Sequence, residues 1–387
     1  MERRTQVAII GAGPAGLVLA NVLIRAGIDC VVVEHRSREH VESRARAGFL
    51  EHRTVEYLTR NGLADRLLAE AMRHVRCEFR TQRRRFSVPY GQLAGGRAHS
   101  VYPQQLLVRD LIELVTHAGG EVLFSTPVAE VTGLHQRRAT VVCSPGGTIT
   151  CDFVAGCDGH RGVSRQAVPP QELRTFAKRY PFDWVAVLGE ARPAPDQVVY
   201  ALHENGFAGQ MPRTAEISRF YLQCPADDSI EHWPDERIWK ELRHRLAADG
   251  VEELSTGRIL EKGILSMRSA VTEPMQFGRL YLAGDATHVL TPSGAKGMNL
   301  AVADAAALAE AIVAHYRDGM EELLAGYTST RLADVWQAQE FSDWLVQLLH
   351  GPADPDDGFQ QQLRLARLRQ LEQSSVAATK FAHRYVG

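Results

Sequence analysis

The sequence lacks the features that would assign it to a membrane, a metal or a nucleic acid. Beyond residues 7–24, none of its 387 residues falls in a run of uncharged apolar residues as long as the roughly 20 that a membrane span needs. Its six cysteines, Cys30, Cys77, Cys143, Cys151, Cys157 and Cys224, form no C-x-x-C pair. That argues against a zinc site or a thioredoxin-like motif, and no metal is expected. Scattered cysteines fit reduced thiols in the cytoplasm. An excess of one charge is missing too: 44 Lys and Arg face 46 Asp and Glu, for a net charge of −2. Nothing therefore favours a nucleic acid or an acidic partner. The basic triplet Arg83-Arg84-Arg85 reads as a solvated surface strand. Arg3-Arg4 before the apolar stretch imitates a secretory leader. Gly11, Gly13, Pro14 and Gly16 break that stretch early, however, and no small-residue cleavage site follows. At this length two domains are the default.

What is present begins with "QVAIIGAGPAGLVLANVLIRAGIDCVVVE", which reads as strand, glycine turn, helix, strand. Gly11, Gly13 and Gly16 sit where the strand hands over to the helix. They let the backbone approach a pyrophosphate whose charge faces the helix N-terminus. Glu34 ends the next strand, placed to bond a ribose hydroxyl. This fingerprint suits FAD and NAD(P) equally. A second stretch, "GRLYLAGDATHVLTPSGAKGMNLA", ends a strand on Gly284-Asp285 and leads through Pro292, Gly294 and Gly297 into a helix. "CDGHRGVSR" supplies a similar strand end at Asp158-Gly159. A reduced isoalloxazine is anionic along its pyrimidine edge, and a helix N-terminus with free N–H groups stabilises that anion. A nicotinamide makes no such demand. Asp285 then accepts hydrogen bonds from ribitol hydroxyls, and the dinucleotide is FAD.

With these motifs in hand, the chain resembles the para-hydroxybenzoate hydroxylase family of single-component flavin monooxygenases. The resemblance runs from residue 5 to the C-terminal "YVG" and includes "RAG" at 46–48, "YPF" at 180–182, "EPMQFGRLYLAGDA" and "GAKGMNLA". It implies an NAD(P)H- and O2-dependent enzyme that hydroxylates the ring of a 4-hydroxybenzoate-type acid through a flavin C4a-hydroperoxide. It also implies a homodimer. By resemblance, Arg46, Gln104, Asp158, Asp285, Asn299 and Leu300 line the FAD, and Arg219 sits near the isoalloxazine. Pro292 places its carbonyl beside the substrate hydroxyl. Arg213 and Tyr221 hold the substrate carboxylate, a task that suits a two-pronged guanidinium. Strand alternation puts Arg219 and Tyr221 on one sheet face.

Tyr200, Tyr385 and His74 match the family's proton relay. A phenolate attacks an electrophilic oxygen faster than a phenol does. A buried phenol is best deprotonated through hydroxyls that lead out to a titratable group, and histidine suits that outer end. There is no second G-x-G-x-x-G, so the pyridine nucleotide has no Rossmann unit of its own. The resemblance places it transiently around Arg36, Arg38, Arg44, Arg161 and Arg268. Paired arginines suit a 2′-phosphate, which favours NADPH and leaves NADH possible.

The chain departs from the family pattern in its pocket. Met211 stands where serine is usual and contributes to substrate binding without a donor. Gly209 replaces a larger residue, Phe49 a smaller one, and Ser293 follows Pro292 in place of threonine. These changes open an alternative substrate, a 4-hydroxybenzoate carrying an amino or further hydroxyl group. A disulfide reductase is disfavoured by the lack of C-x4-C, and a flavin halogenase by the lack of W-x-W-x-I. The expected architecture is α/β: a Rossmann-like FAD-binding domain (1–72, 97–180 and 266–345), an inserted mixed-sheet substrate domain (73–96 and 181–265), and C-terminal helices (346–387).

Overall fold

The structure is a computed structural model that describes residues 2–44, 48–81, 84–194, 197–351 and 357–387. The opening strand Glu2–Ile10 lies inside an eight-stranded sheet. It pairs in parallel with Cys30–Val33 on one side and Gly147–Gly156 on the other. Val7, Ala8, Ile9 and Ile10 are all buried, as a strand covered on both faces requires. The chain then turns at Gly11 into the helix Pro14–Arg25, with Pro14 in its first turn, where the missing N–H costs nothing. The leader-like stretch is therefore a strand, turn and helix built into the core.

A second eight-stranded sheet is mixed and holds the long strands Arg174–Glu190 and Ile259–Glu273. The boundaries expected at 180 and 265 fall inside these strands, close to where their pairing shifts register between Arg179 and Asp183. The outer face of this sheet carries Val185, Val199, Ala208, Phe220 and Leu222, packed with the helix Asp235–Leu246 through Ile238, Trp239 and Leu242. The inner face carries Cys77, Phe79, Trp184, Tyr200 and Phe207, packed with the C-terminal helices. A small three-stranded sheet, Phe49–Leu50, His99–Val101 and Met72–His74, completes the strand pairing.

The helix Gly297–Asp318 has the length and composition of a membrane span. Here it packs against Pro14–Arg25, with Asp304 wholly buried near its middle. The helices Tyr327–Leu349, Gly358–Gln373 and Ser375–Val386 follow, and the last of these contacts the short helix Tyr90–Leu93. In the basic triplet, Arg84 and Arg85 are exposed on the strand Arg84–Val88, and Arg83 lies outside the described residues.

Candidate active site

The dinucleotide turn is built by glycines that cannot be replaced in kind. Gly11 has a φ of 107°, and a Cβ there would lie 2.4 Å from the Cys157 carbonyl oxygen. A Cβ on Gly16 would lie 2.0 Å from the Gly11 carbonyl oxygen. Gly13 instead faces open space, where a ligand's backbone contacts would fall. Glu34 is buried and accepts from the Ala12 N–H at 2.9 Å and the Arg36 N–H at 2.8 Å. It therefore fixes the turn as well as ending the strand.

Asp158 accepts from both the N–H and the hydroxyl of Ser164 at 2.9 Å, and its carboxyl packs where a Cβ on Gly162 would be. Burial raises its pKa, and the Ser164 bonds pull it back. Its Oδ1 is buried with no hydrogen-bond partner among the described residues, as is Oε1 of Gln105. Buried acceptors of this kind need a donor, and the hydroxyls of a dinucleotide supply one. Gln104 begins its helix one residue earlier and is half-buried. The donor set, the bare glycine turn and the half-buried Asp285 together fit FAD.

Asp285 rests on a network that the sequence did not reveal. Asp304 accepts from the Gly284 N–H at 2.9 Å, pairs with His288 Nε2 at 2.7 Å and binds Arg331 Nε at 2.8 Å. Burial pushes the Asp304 pKa up, but His288 and Arg331 hold it below the usual range. An acid set among the apolar and alanine residues of this helix was the available signal. The Asn299 side chain is engaged within the protein. It bonds the Glu51 N–H at 2.9 Å and the carbonyls of Phe49 at 3.1 Å and Ala295 at 2.8 Å. That leaves the Asn299 backbone, with the buried Leu300, to face a ligand. Lys296 bonds Glu51 at 2.5 Å and the carbonyls of Arg384 and Tyr385, tying the C-terminal helix to this turn. Pro292 accepts the Ala295 N–H at 3.1 Å.

On the substrate side, Tyr221 lies opposite Gly209 and Arg219 opposite Met211. All four therefore share one face, together with Tyr200, which is also opposite Gly209. Arg219 is buried and lies 3.8 Å from Glu261. Arg213 is half-buried as a residue, but its Nη1 is shut off from solvent. That nitrogen sits 2.5 Å from where a Cβ on Gly48 would be, so the bare Gly48 makes room for it. Burial lowers the Arg213 pKa to about 10; Tyr221 raises it and Arg219 lowers it further. Trp184 donates to His350 Nε2 at 2.7 Å, while His350 Nδ1 faces the Val346 carbonyl at 2.8 Å. Burial holds His350 at about 3. This neutral ring and Phe207 flank Trp184 at 5.5 and 5.0 Å.

Of the residues that depart from the family pattern, Gly209 leaves no added room, because the Phe207 ring already lies 2.9 Å from where a Cβ would stand. Phe49 packs elsewhere. It lies edge-on to His74 at 5.7 Å and His99 at 5.6 Å.

Tyr200 and Tyr385 share a hydrogen bond of 2.7 Å and are both about 1% exposed. His74 is not at a water-facing end. It is 3% exposed, on a strand beneath Phe49, with His99 as its cross-strand partner. Of the arginines expected to meet the pyridine nucleotide, Arg268 lies 2.6 Å from His160 Nε2. Burial and Arg268 lower the His160 pKa, with Asp285 opposing and Arg161 assisting, so these residues form one group. Arg36, Arg38 and Arg44 are exposed on a separate segment, where Arg38 pairs with Glu42. Arg46 lies outside the described residues. A metal-like trio, His203, Glu204 and His244, forms at an exposed hairpin tip. His203 Nδ1 there accepts the Asn205 N–H, which leaves Nε2 protonated.

A family model described as an FAD binding domain matches residues 4–342. The p-hydroxybenzoate hydroxylase of Acinetobacter baylyi is 40% identical over 99% of this chain and 95% of its own length. The chain belongs to the para-hydroxybenzoate hydroxylase family. It is an FAD-dependent aromatic hydroxylase. More distant members of the group include the 6-methylpretetramide 4-monooxygenase of Streptomyces rimosus, 26% identical over 84% of this chain and 59% of that protein. The p-nitrophenol 4-monooxygenase of Pseudomonas putida shares the fold, with a TM-score of 0.83, 21% identity and 100% and 99% coverage.

Proposed function

We propose that this hydroxylase acts on a 4-hydroxybenzoate-type acid, with NADPH as reductant and O2 as oxidant. The observation that carries the proposal is a sheet face with two chemically distinct ends. One end holds the desolvated Arg213 guanidinium near Tyr221; the other holds the Tyr200–Tyr385 hydroxyl pair. A carboxylate offsets the cost of a buried cation, and a guanidinium grips it with two bonds. The A. baylyi relative carries a name that fits the same substrate. When bound, FAD supplies reducing equivalents from the pyridine nucleotide and activates O2 for transfer of one oxygen atom to the ring.

The chain's own residues do the rest. Arg213 and Tyr221 orient the acid. Tyr200 takes the proton of the substrate phenol and passes its own to Tyr385, which releases its own proton in turn, with His74 the titratable acceptor of the relay, so both hydroxyls end neutral. The ring is left as a phenolate, the stronger nucleophile. Trp184, Phe207 and Tyr221 wall off water.

A second reading, a ring-substituted 4-hydroxybenzoate, is favoured by Met211, a half-buried thioether opposite Arg219. Tyr200→Phe tests the main reading. Flavin reduction by NADPH should persist, while O2 is diverted to hydrogen peroxide. An unchanged yield of hydroxylated product per NADPH would remove Tyr200 from the mechanism.

A further inference from the structure

A cluster of buried aromatic and titratable side chains surrounds Tyr385 and takes no part in the steps above. The Tyr385 ring stacks on Phe381 at 5.1 Å. Tyr90 meets it edge-on at 5.1 Å and His99 at 4.8 Å. Tyr90 and His99 are both wholly buried, and the Tyr90 hydroxyl lies 3.3 Å from His99 Nδ1. The contact joins two segments of the 73–101 excursion to the last helix of the chain.

We infer that Tyr90 and His99 form a neutral brace that positions Tyr385 for proton transfer. This rests on the hydroxyl-relay reading of Tyr200 and Tyr385. Burial pushes the Tyr90 hydroxyl well up, so it keeps its proton. A buried O–H needs an acceptor, and His99 Nδ1 is the one at hand. That assigns the His99 proton to Nε2, which is buried, has no hydrogen-bond partner among the described residues and has the Tyr385 backbone as its polar neighbour. His99 stays uncharged: burial lowers its pKa to about 3, and Lys296 and His74 push the same way. The Tyr385 backbone is the neighbour that favours a proton on the ring. The ionisable groups facing His99 are thus His74 from its partner strand, Tyr90 from the short helix, Lys296 from the turn before Gly297, and Tyr385 itself.

Neutrality matters for function. A relay hydroxyl must accept one proton and release another. A cation about 5 Å away in a low-dielectric interior would make Tyr385 a poorer acceptor. A neutral imidazole fixed through its Nδ1 holds the ring in place without that bias. His99 and Tyr90 are positioning residues in this scheme, and neither touches the substrate.

Tyr90→Phe in the full-length FAD-loaded enzyme provides the test. Flavin reduction by NADPH should stay within about twofold of wild type. Product per NADPH should fall by about three- to tenfold, the range that one buried hydrogen bond spans. The phenol of bound 4-hydroxybenzoate should titrate at a higher pH, read from its phenolate absorbance. His99→Asn, which keeps an acceptor near the Nδ1 position, should recover most of the yield, and His99→Val should not. In 15N-histidine NMR, His99 should be neutral with its proton on Nε2 between pH 6 and 8. A proton on Nδ1, a charged ring, or an unmoved phenol titration in Tyr90→Phe would overturn the brace. Tyr200→Phe run in parallel separates the two ideas. If it uncouples the reaction and Tyr90→Phe does not, the brace fails and the relay stands. If Tyr200→Phe leaves coupling intact, the relay fails, and with it the brace's role in proton transfer.

Discussion

At the residue scale, the proposed substrate specificity turns on what surrounds the Arg213 guanidinium. Its Nη1 is sealed from water over Gly48, and burial has already pulled its pKa down to about 10. Each hydrogen bond at the acid end therefore counts, because a bond to a charged group contributes about 1.5–3 kcal/mol. Met211 brings bulk and an adaptable shape to this face but no donor. Since Phe207 already fills the place beside Gly209, the wall cannot accommodate a new substituent by simple enlargement there. Any preference for a substituted ring must come from how Met211 lets the acid end sit. Met211→Ser should then improve kcat/KM for plain 4-hydroxybenzoate, relative to an amino- or hydroxy-substituted analogue, by up to about tenfold for ~1.4 kcal/mol. A panel of aromatic acids scored by product mass gives the ratio. If wild type already prefers the plain acid and the serine variant leaves the ratio unchanged, Met211 does not set specificity.

At the element scale, the turn Gly284–Ala286 and the helix Gly297–Asp318 act together through Asp304. Its carboxylate is wholly buried and holds the Gly284 N–H, His288 and Arg331 at once. Asp304→Asn leaves the Arg331 guanidinium with the more exposed Asp334 as its remaining anionic partner, at 2.6 Å, so the cost should fall below the about 3–5 kcal/mol of a buried charge left wholly unpaired. The variant should unfold at lower urea and hold less FAD. The sign with pH follows from the lowered folded pKa. Asp304's contribution is complete above the unfolded carboxylate value of about 3.9 and is lost as pH falls through the folded value. The gap to wild type should be flat from pH 8 to about 5 and narrow only below about pH 4; a gap that closes between pH 7 and 6 would point to a histidine instead. The Gly11, Gly13 and Gly16 turn, the Glu34 strand end and the shared face of Arg219 and Tyr221 were legible because each follows from local spacing. Asp304, Arg331, His288, His350, Tyr90 and His99 were not. Their partners lie far away in sequence, as in the 248-residue separation of Glu51 and Asn299, and single residues of this kind carry no periodic signal. The burial of His74 had the same cause, because it depends on strand pairing with His99–Val101 rather than on its own neighbours.

At the scale of the whole molecule, the proposed substrate site draws on separate parts of the chain. Gly48 comes from the N-terminal part, Arg213 and Tyr221 from the mixed sheet, and Tyr385 from the last helix. A carboxylate ligand bound at Arg213 would therefore do more than occupy a site. It would offset a folded-state penalty that is present at every pH below about 10, since a base with a depressed folded pKa destabilises the fold wherever it is charged. Ligand binding to the folded chain alone adds RT ln(1 + [L]/Kd), about 2.7 kcal/mol at 100 times Kd. We expect 4-hydroxybenzoate to raise the thermal midpoint of the FAD-loaded enzyme clearly at pH 7.5. The neutral, near-isosteric 4-hydroxybenzamide at the same concentration should raise it far less. The difference should vanish in Arg213→Met, which keeps the bulk and removes the charge. Differential scanning fluorimetry on the four combinations of ligand and protein is sufficient. Equal stabilisation by acid and amide in wild type would show that the guanidinium is not the carboxylate's partner, and the two-ended sheet face would lose its acid end.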